Sequence, residues 1–146
     1  MSRPGFEEIY MRLALNLADR STCSRLQVGT VITSTDFRNV LAIGYNGNAT
    51  GFTNGCDRST PGKCGCLHAE DNAVINCASP SYVDKFVFIT HVSCEMCAKR
   101  LVNLGGVKRV YCQQDYSTNS GLTVFEKADI PITRTTHNIG ITLTYT

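Results

Sequence analysis

The chain lacks the features that usually mark membrane proteins and nucleic-acid-binding proteins. No stretch approaches the roughly 20 apolar residues that a membrane-spanning helix needs. The opening residues, MSRPGFEEIY, carry no apolar run of the kind found in signal peptides. The 14 Lys and Arg residues are scattered and leave a net charge of only +2, so no basic surface for nucleic acid is indicated. We therefore expect a cytoplasmic protein with neither a membrane nor a nucleic-acid partner.

Cysteine, in contrast, is abundant. The chain has 146 residues and eight cysteines, and its length predicts one domain spanning residues 1–146 with a core that needs no disulfides. Because no secretion signal is visible, we expect the cysteines to bind metal or to lie in the core.

The hydrophobic pattern predicts strands that alternate with helices in the order α-β-β-α-β-α-β-α-β. The first two strands form an antiparallel hairpin, and the later strands, linked by helices, pair in parallel. The predicted fold is an α/β three-layer α-β-α sandwich with a mixed five-stranded sheet. The predicted helices are 4–20, 68–78, 94–104 and 119–128, and the predicted strands are 27–33, 40–45, 86–91, 107–112 and 130–135, with 141–145 as a further edge strand.

A histidine and a pair of cysteines give the main chemical signal. His68 begins one predicted helix, and Cys94 and Cys97 begin the next. These three ligands suit zinc and leave a fourth position open, as in catalytic sites. Glu70, two residues beyond His68, can reach a water at that position without binding the metal, which predicts a proton carrier. A lone Cys-x-x-Cys is often redox-active or structural, but the two-part motif favours catalysis.

These motifs resemble those of the zinc-dependent cytidine deaminase superfamily, and within it those of deoxycytidylate (dCMP) deaminases. The likeness covers most of residues 5 to 136 and rests mainly on Gly44-Tyr45-Asn46-Gly47, His68-Ala69-Glu70 and Cys94-Glu95-Met96-Cys97. One departure is Ser93, which stands where the family usually has proline. The resemblance implies hydrolysis of dCMP to dUMP and ammonia, a reaction that supplies the precursor of dTMP.

The resemblance also implies residues that bind the substrate. The backbone amide of Ala69 is expected to hold the pyrimidine carbonyl, and Asn46 to meet the sugar. An ordinary turn asparagine is the alternative for Asn46. Arg25 and Tyr116 lie on connections at strand ends and are candidate phosphate ligands. A solvated surface arginine and an ordinary tyrosine are the alternatives.

Four further cysteines, Cys23, Cys56, Cys64 and Cys66, fall in predicted connections. Four thiolates form a closed structural zinc site, which would explain how the long segment 46–67 stays folded. Some phage and bacterial dCMP deaminases resemble this arrangement, and four free thiols are the alternative. Cys77 and Cys112 are expected in the core, and His91 receives no role.

Regulation and assembly are also implied by the resemblance. Gly47, Asn48 and Gly51 resemble a region that binds deoxynucleoside triphosphates, so dCTP activation and dTTP inhibition are expected, with magnesium as the counter-ion. A turn needed only to reach the second zinc is the alternative. The family also suggests a homohexamer.

Three other functions are consistent with parts of the pattern. A tRNA adenosine deaminase shares the zinc motif but would want a basic or aromatic surface. A free-cytidine deaminase commonly has cysteine where His68 stands. A zinc-folded interaction module would have no need of Glu70.

Overall fold

A computed structural model describes residues 3–60, 63–115, 119–135 and 142–145. These residues form four helices and six strands, which are α1 Phe6–Ala18, β1 Gly29–Ser34, β2 Val40–Tyr45, α2 Ala69–Asn76, β3 Lys85–His91, α3 Glu95–Leu104, β4 Val107–Gln114, α4 Ser120–Lys127, β5 Ile132–Thr135 and β6 Thr142–Tyr145. Within the described residues, no helix has the length and apolar character needed to cross a membrane.

The strands form one mixed sheet in the order β2-β1-β3-β4-β5-β6. β1 pairs antiparallel with β2 and β3, whereas β3, β4 and β5 run parallel. β6 pairs antiparallel with β5 at the edge. The predicted mixed sheet is confirmed, and its sixth strand occupies the segment that the sequence indicated as a further edge strand.

Helices cover both faces of the sheet, which confirms the three layers. On one face, α1 packs Met11 and Ala14 against Val31, Phe88 and Tyr111. On the other face, α2, α3 and α4 pack against the opposite side of the same strands. This second core includes the helix residues Ala73, Leu101 and Phe125 and the strand residues Ile32, Val87 and Val110. Because side chains alternate along each strand, each strand contributes residues to two separate cores.

Helix ends differ from the prediction by a few residues. α1 begins and ends two residues inside the predicted range, and α2 ends at Asn76 rather than at residue 78. Cys77 leaves the helix with an extended backbone, so α2 stops before Pro80 could end it. Cys77 is consequently only half-buried against the core, while Cys112 is fully buried as expected.

Several strands and helices begin or end at the same end of the sheet. Asn46 follows the carboxyl end of β2, Val28 precedes β1, and His91 ends β3. The amino ends of α2 and α3 lie at this same end of the sheet. A cleft there is lined by residues from all of these segments. Ligands usually bind α/β sheets in a crevice at the ends of the strands.

Lys85 is a charged side chain with no exposed surface. Its ammonium donates hydrogen bonds to the carbonyls of Pro80 at 2.8 Å, Val83 at 2.7 Å and Gly105 at 3.0 Å. These contacts use all three of its N–H donors. Lys85 thereby ties the connection after α2 to the end of α3, the two helices whose amino ends meet at the cleft.

We predict that Lys85→Met lowers the free energy of unfolding by about 2 to 4 kcal/mol, because the carbonyls of Pro80, Val83 and Gly105 would lose a charged donor. The matched control is Lys108→Met. Lys108 is exposed and pairs with Asp84 at 3.7 Å, so its loss should change stability by less than about 0.5 kcal/mol. Urea denaturation measures both, and equal effects would contradict the structural role of Lys85.

Candidate active site

Three metal-ligand atoms converge where α2 and α3 begin. The Nδ1 atom of His68 lies 3.6 Å from the Sγ atom of Cys94 and 3.2 Å from that of Cys97. All three donor atoms lie within 4.8 Å of one another. His68 and Cys94 are the residues immediately before the two helices, and Cys97 lies in the first turn of α3. The structure thus brings together the three residues that the sequence motifs single out.

The spacing of these donors fits zinc. Tetrahedral coordination with ordinary zinc bond lengths places nitrogen and sulfur donors about 3.6 Å apart, close to the separations found here. Hydrogen bonds from Cys97 and His68 lower the pKa of Cys94 to about 4, which favours the thiolate that binds metal. Three donors fill three of the four tetrahedral positions, as in catalytic sites.

Glu70 is a buried carboxylate beside this set. It lies in the first turn of α2, is 5% exposed and stands outside the group of three metal donors. Burial raises its pKa above the ordinary range, while its own backbone N–H and the nearby Ser93 hydroxyl act in the opposite direction. Ser93 is itself buried, and its hydroxyl makes no hydrogen bond of normal geometry within the described residues. A carboxyl group with a raised pKa is suited to carry protons near neutral pH.

One cleft joins this centre to the candidate substrate residues. Its lining includes Arg25, Asn46, Ala69 and Glu70. Arg25 is exposed at its rim, whereas Ala69 is buried at the start of α2. Tyr116 lies outside the described residues. The structure therefore brings three of the four candidate substrate residues to the same cleft, and their individual roles stay predictions.

Asn46 has a structural task at this cleft. Its Oδ1 atom accepts a hydrogen bond from the backbone N–H of Val28 at 2.9 Å, and its Nδ2 atom donates to the carbonyl of Leu26 at 2.6 Å. These bonds hold the segment after Arg25 against the end of β2. The bond to Leu26 uses one of the two N–H donors of the amide, so a ligand contact remains available to the other.

The other four cysteines form a second cluster next to the first. The Sγ atom of Cys23 lies 3.5 Å from that of Cys56 and 3.9 Å from that of Cys64, and Cys66 lies 3.7 Å from Cys56. Four thiolates around zinc are about 3.8 Å apart, so this set also fits the metal. Hydrogen bonds from Ser24, followed by weaker contributions from Cys23 and Cys64, lower the pKa of Cys56 to about 6.

The candidate effector residues line a separate groove between α2, β2 and the loop that follows β2. The groove has a volume of about 540 Å³ and includes Gly47, Asn48 and Gly51. Asn48 donates to Asp57 at 2.7 Å and accepts from the backbone N–H of Ala49 at 2.8 Å, which shapes the loop. Arg20 is the basic residue of its lining and lies 5.9 Å from the centre of the Tyr45 ring.

His91 is a cleft residue that the sequence motifs did not identify. It ends β3, is 9% exposed and lines the same cleft as Glu70. Burial lowers its pKa, so the neutral imidazole is favoured. The two-residue alternation along β3 could have placed it on the same face as Val87 and Ile89, but no metal-ligand spacing pointed to it.

Comparison with known proteins agrees with this geometry. Residues 5–114 match the family model described as the cytidine and deoxycytidylate deaminase zinc-binding region. ComE operon protein 2 of Bacillus subtilis is 32% identical, covering 90% of this chain and 72% of that protein. The deoxycytidylate deaminase of Mycobacterium phage D29 is 31% identical over 75% of this chain and 95% of its own length.

A solved structure gives a similar result. The dCMP deaminase from the cyanophage S-TIM5, in complex with dCMP and dUMP, superimposes with a TM-score of 0.79 at 31% identity. The match covers 92% of this chain and 100% of that one. With the family model matching most of the sequence and the phage enzymes matching along nearly their whole length, the chain belongs to the deoxycytidylate deaminases of the cytidine and deoxycytidylate deaminase family.

Proposed function

We propose that this chain hydrolyses dCMP to dUMP and ammonia with zinc held by His68, Cys94 and Cys97. The observation that carries the proposal is the buried Glu70 beside the three metal donors, in a cleft that also reaches Arg25. Family membership supports the reaction type, and relatives named deoxycytidylate deaminase support the substrate. When bound, zinc supplies Lewis-acid activation of water near neutral pH.

The residues of the chain position the base and move protons. Glu70 accepts a proton from the attacking water and delivers it to N3 of the ring. It then takes the remaining proton of the added hydroxyl and passes it to the departing amino group, so that the C4 carbonyl forms and ammonia leaves. Proton transfer by a placed side chain is worth about 100- to 10,000-fold in rate. The N–H of Ala69, at the amino end of α2, donates to the C2 carbonyl, and Asn46 contacts the sugar.

Arg25 is assigned to the phosphate. Its side chain is exposed at the cleft rim. A guanidinium there can bind a phosphate in the complex and stay solvated when no ligand is bound. One arginine suits a mononucleotide, whereas a polymeric substrate would be expected to use a longer basic or aromatic surface. This difference favours dCMP over tRNA. A non-catalytic zinc module is disfavoured because it gives no reason to bury the Glu70 carboxylate next to the metal donors.

We predict that Glu70→Gln keeps the fold and the zinc but lowers kcat for dCMP by about 100- to 10,000-fold, because the proton carrier is lost. Glu126→Gln, at an exposed position of α4, is the matched control and should turn over normally. Zinc content and the rate of dUMP formation are measured on the same preparations. Near-native turnover by Glu70→Gln would remove the assigned role.

The four-cysteine cluster is proposed to hold a second, structural zinc. The support is its donor set, with four sulfur atoms within 4.8 Å of one another and two of the residues buried. A metal here would fix the long connection between β2 and α2, in which Gly47 and Leu67 pair at the two ends. Metal binding at such a site adds to the free energy of folding.

We expect two zinc ions per chain in metal-replete protein and one in Cys64→Ser, because a closed site needs four ligands. Cys64→Ser should also lower the melting temperature more than it changes kcat. Cys77→Ser removes a half-buried cysteine outside both clusters and should retain both ions. Elemental analysis together with thermal unfolding decides the matter. A wild-type content of one zinc, with the four thiols reacting freely, would contradict the second site.

The groove between α2, β2 and the loop that follows β2 is proposed to bind a deoxynucleoside triphosphate. Its volume of about 540 Å³ lies within the range of nucleotide-sized sites. Asn, Gly and Thr backbone and side-chain groups dominate the lining, with Arg20 as a basic contribution. Because a triphosphate carries several negative charges, magnesium is expected as its counter-ion. A ligand shifts activity only if it prefers one conformation of the enzyme.

We predict that dCTP with magnesium activates dCMP turnover and that dTTP inhibits it, with sigmoidal dCMP kinetics when no effector is present. Steady-state rates are compared with dCTP, with dTTP and with dATP as a control triphosphate. Hyperbolic curves that coincide under all conditions would show that the loop serves only the four-cysteine cluster. The expected cytoplasmic location and the homohexamer stay predictions.

A further inference from the structure

His91 occupies a defined place in the cleft. Side chains alternate along β3, so His91 points to the same face of the sheet as Val87 and Ile89, which is the face covered by α2 and α3. Its side chain is 9% exposed and lines the cleft together with Glu70 and Ala69. The imidazole is therefore a wall of the site that contains the proton carrier.

The position of His91 relative to Ala69 fixes which part of a pyrimidine it can meet. α2 lies over β2, because a Cβ atom at Gly44 would be 2.3 Å from the carbonyl oxygen of Ala69. β1 separates β2 from β3 in the sheet, so Ala69 and His91 stand on opposite sides of the cleft. In a cytosine whose amino group faces Glu70 and whose C2 carbonyl faces Ala69, the C5–C6 edge points the other way, toward His91.

Neighbouring residues restrict movement of the imidazole. Its Nδ1 atom lies 3.0 Å from the hydroxyl of Thr90, and that hydroxyl accepts the backbone N–H of Gly29 at 3.2 Å. On the other side, His91 pairs in register with Gln114 of β4. The Thr90 hydroxyl, tied to β1 through Gly29, restrains the ring, and the pairing with β4 fixes the backbone of His91, so the bulk of the ring sets a fixed clearance.

We propose that His91 is a specificity-determining residue whose imidazole forms the wall against the C5–C6 edge of the base and limits the substituent accepted at C5. The inference rests on the proposed deamination of dCMP for its substrate. The same steric limit at C5 applies to any pyrimidine nucleotide that binds in the same pose. Pocket walls that sense one methyl or methylene group discriminate by about 10- to 200-fold.

The test compares pairs of ligands that differ only by a methyl group at C5. The first pair is dCMP and 5-methyl-dCMP, measured as kcat/KM. The second pair is dUMP and dTMP, measured as dissociation constants, which need no catalysis. The variants are His91→Ala, which opens the wall, His91→Phe, which enlarges it, and His91→Leu, which keeps much of the bulk and removes the polar contacts.

We expect His91→Ala to shift both ratios toward the methylated ligand by at least about tenfold. His91→Phe should shift them in the opposite direction, and His91→Leu should stay close to the wild type. Ratios that do not move in any variant, or an equal loss on both members of each pair, would assign His91 a purely structural role and overturn the proposal. If wild-type protein does not deaminate dCMP, the proposed function fails, and the dUMP and dTMP ratio still decides the role of His91.

Discussion

The candidate active site depends on the close approach of the amino ends of α2 and α3 at one end of the sheet. Asp71 of α2 accepts a hydrogen bond from the backbone N–H of His68 at 3.1 Å and pairs with Arg100 of α3 at 3.1 Å. One carboxylate thus fixes the residue that carries the metal-binding imidazole and joins it to the helix that carries the two thiols. On the far side of the segment before Cys94, a Cβ atom at Gly121 would lie 1.9 Å from the carbonyl oxygen of Ser93. Only glycine lets α4 pack this closely against that segment.

The two cysteine clusters are neighbours, and this proximity links folding to chemistry. Cys23, Cys64 and Cys66 line the same cleft as His68 and Glu70. Arg25 follows Cys23 by two residues, and His68 follows Cys66 by two. A metal in the four-cysteine cluster would therefore hold the rim arginine and the approach to α2 at once. The long connection after β2, which contributes to the groove and bears Cys56, Cys64 and Cys66, therefore forms part of the active-site wall.

The sequence predicted the parts of the site that are local in the chain. His68 with Glu70, and Cys94 with Cys97, act through spacing within one helical turn, so a motif reveals them. The parallel pairing of the later strands followed from the connection rules for helix-linked strands. Lys85 and His91 escaped prediction because their roles arise from contacts between distant segments, such as Lys85 with Gly105 and His91 with Gln114. Burial converts an ordinary lysine or histidine into a special one, and periodicity alone does not show what surrounds it.

Helix ends were also beyond the reach of the pattern. The apolar periodicity of α2 continues past Asn76, but the side chain of Asn76 bonds to the carbonyl of Ile43 at 3.0 Å while Cys77 turns into extended backbone. Asn46 shows the same limit in another way. Its motif pointed to a ligand, whereas the structure adds two bonds that brace the cleft wall.

The substrate preference of purified, zinc-replete protein tests most directly whether this site deaminates a pyrimidine mononucleotide. Ammonia release is measured for dCMP, dCTP, deoxycytidine and an adenosine-containing RNA at matched concentrations. We expect dCMP to have the highest kcat/KM, and deoxycytidine to be a weaker substrate because it lacks the phosphate assigned to Arg25. Preference for the RNA, or release of ammonia from none of the four, would contradict a deaminase built around Glu70 for a pyrimidine mononucleotide.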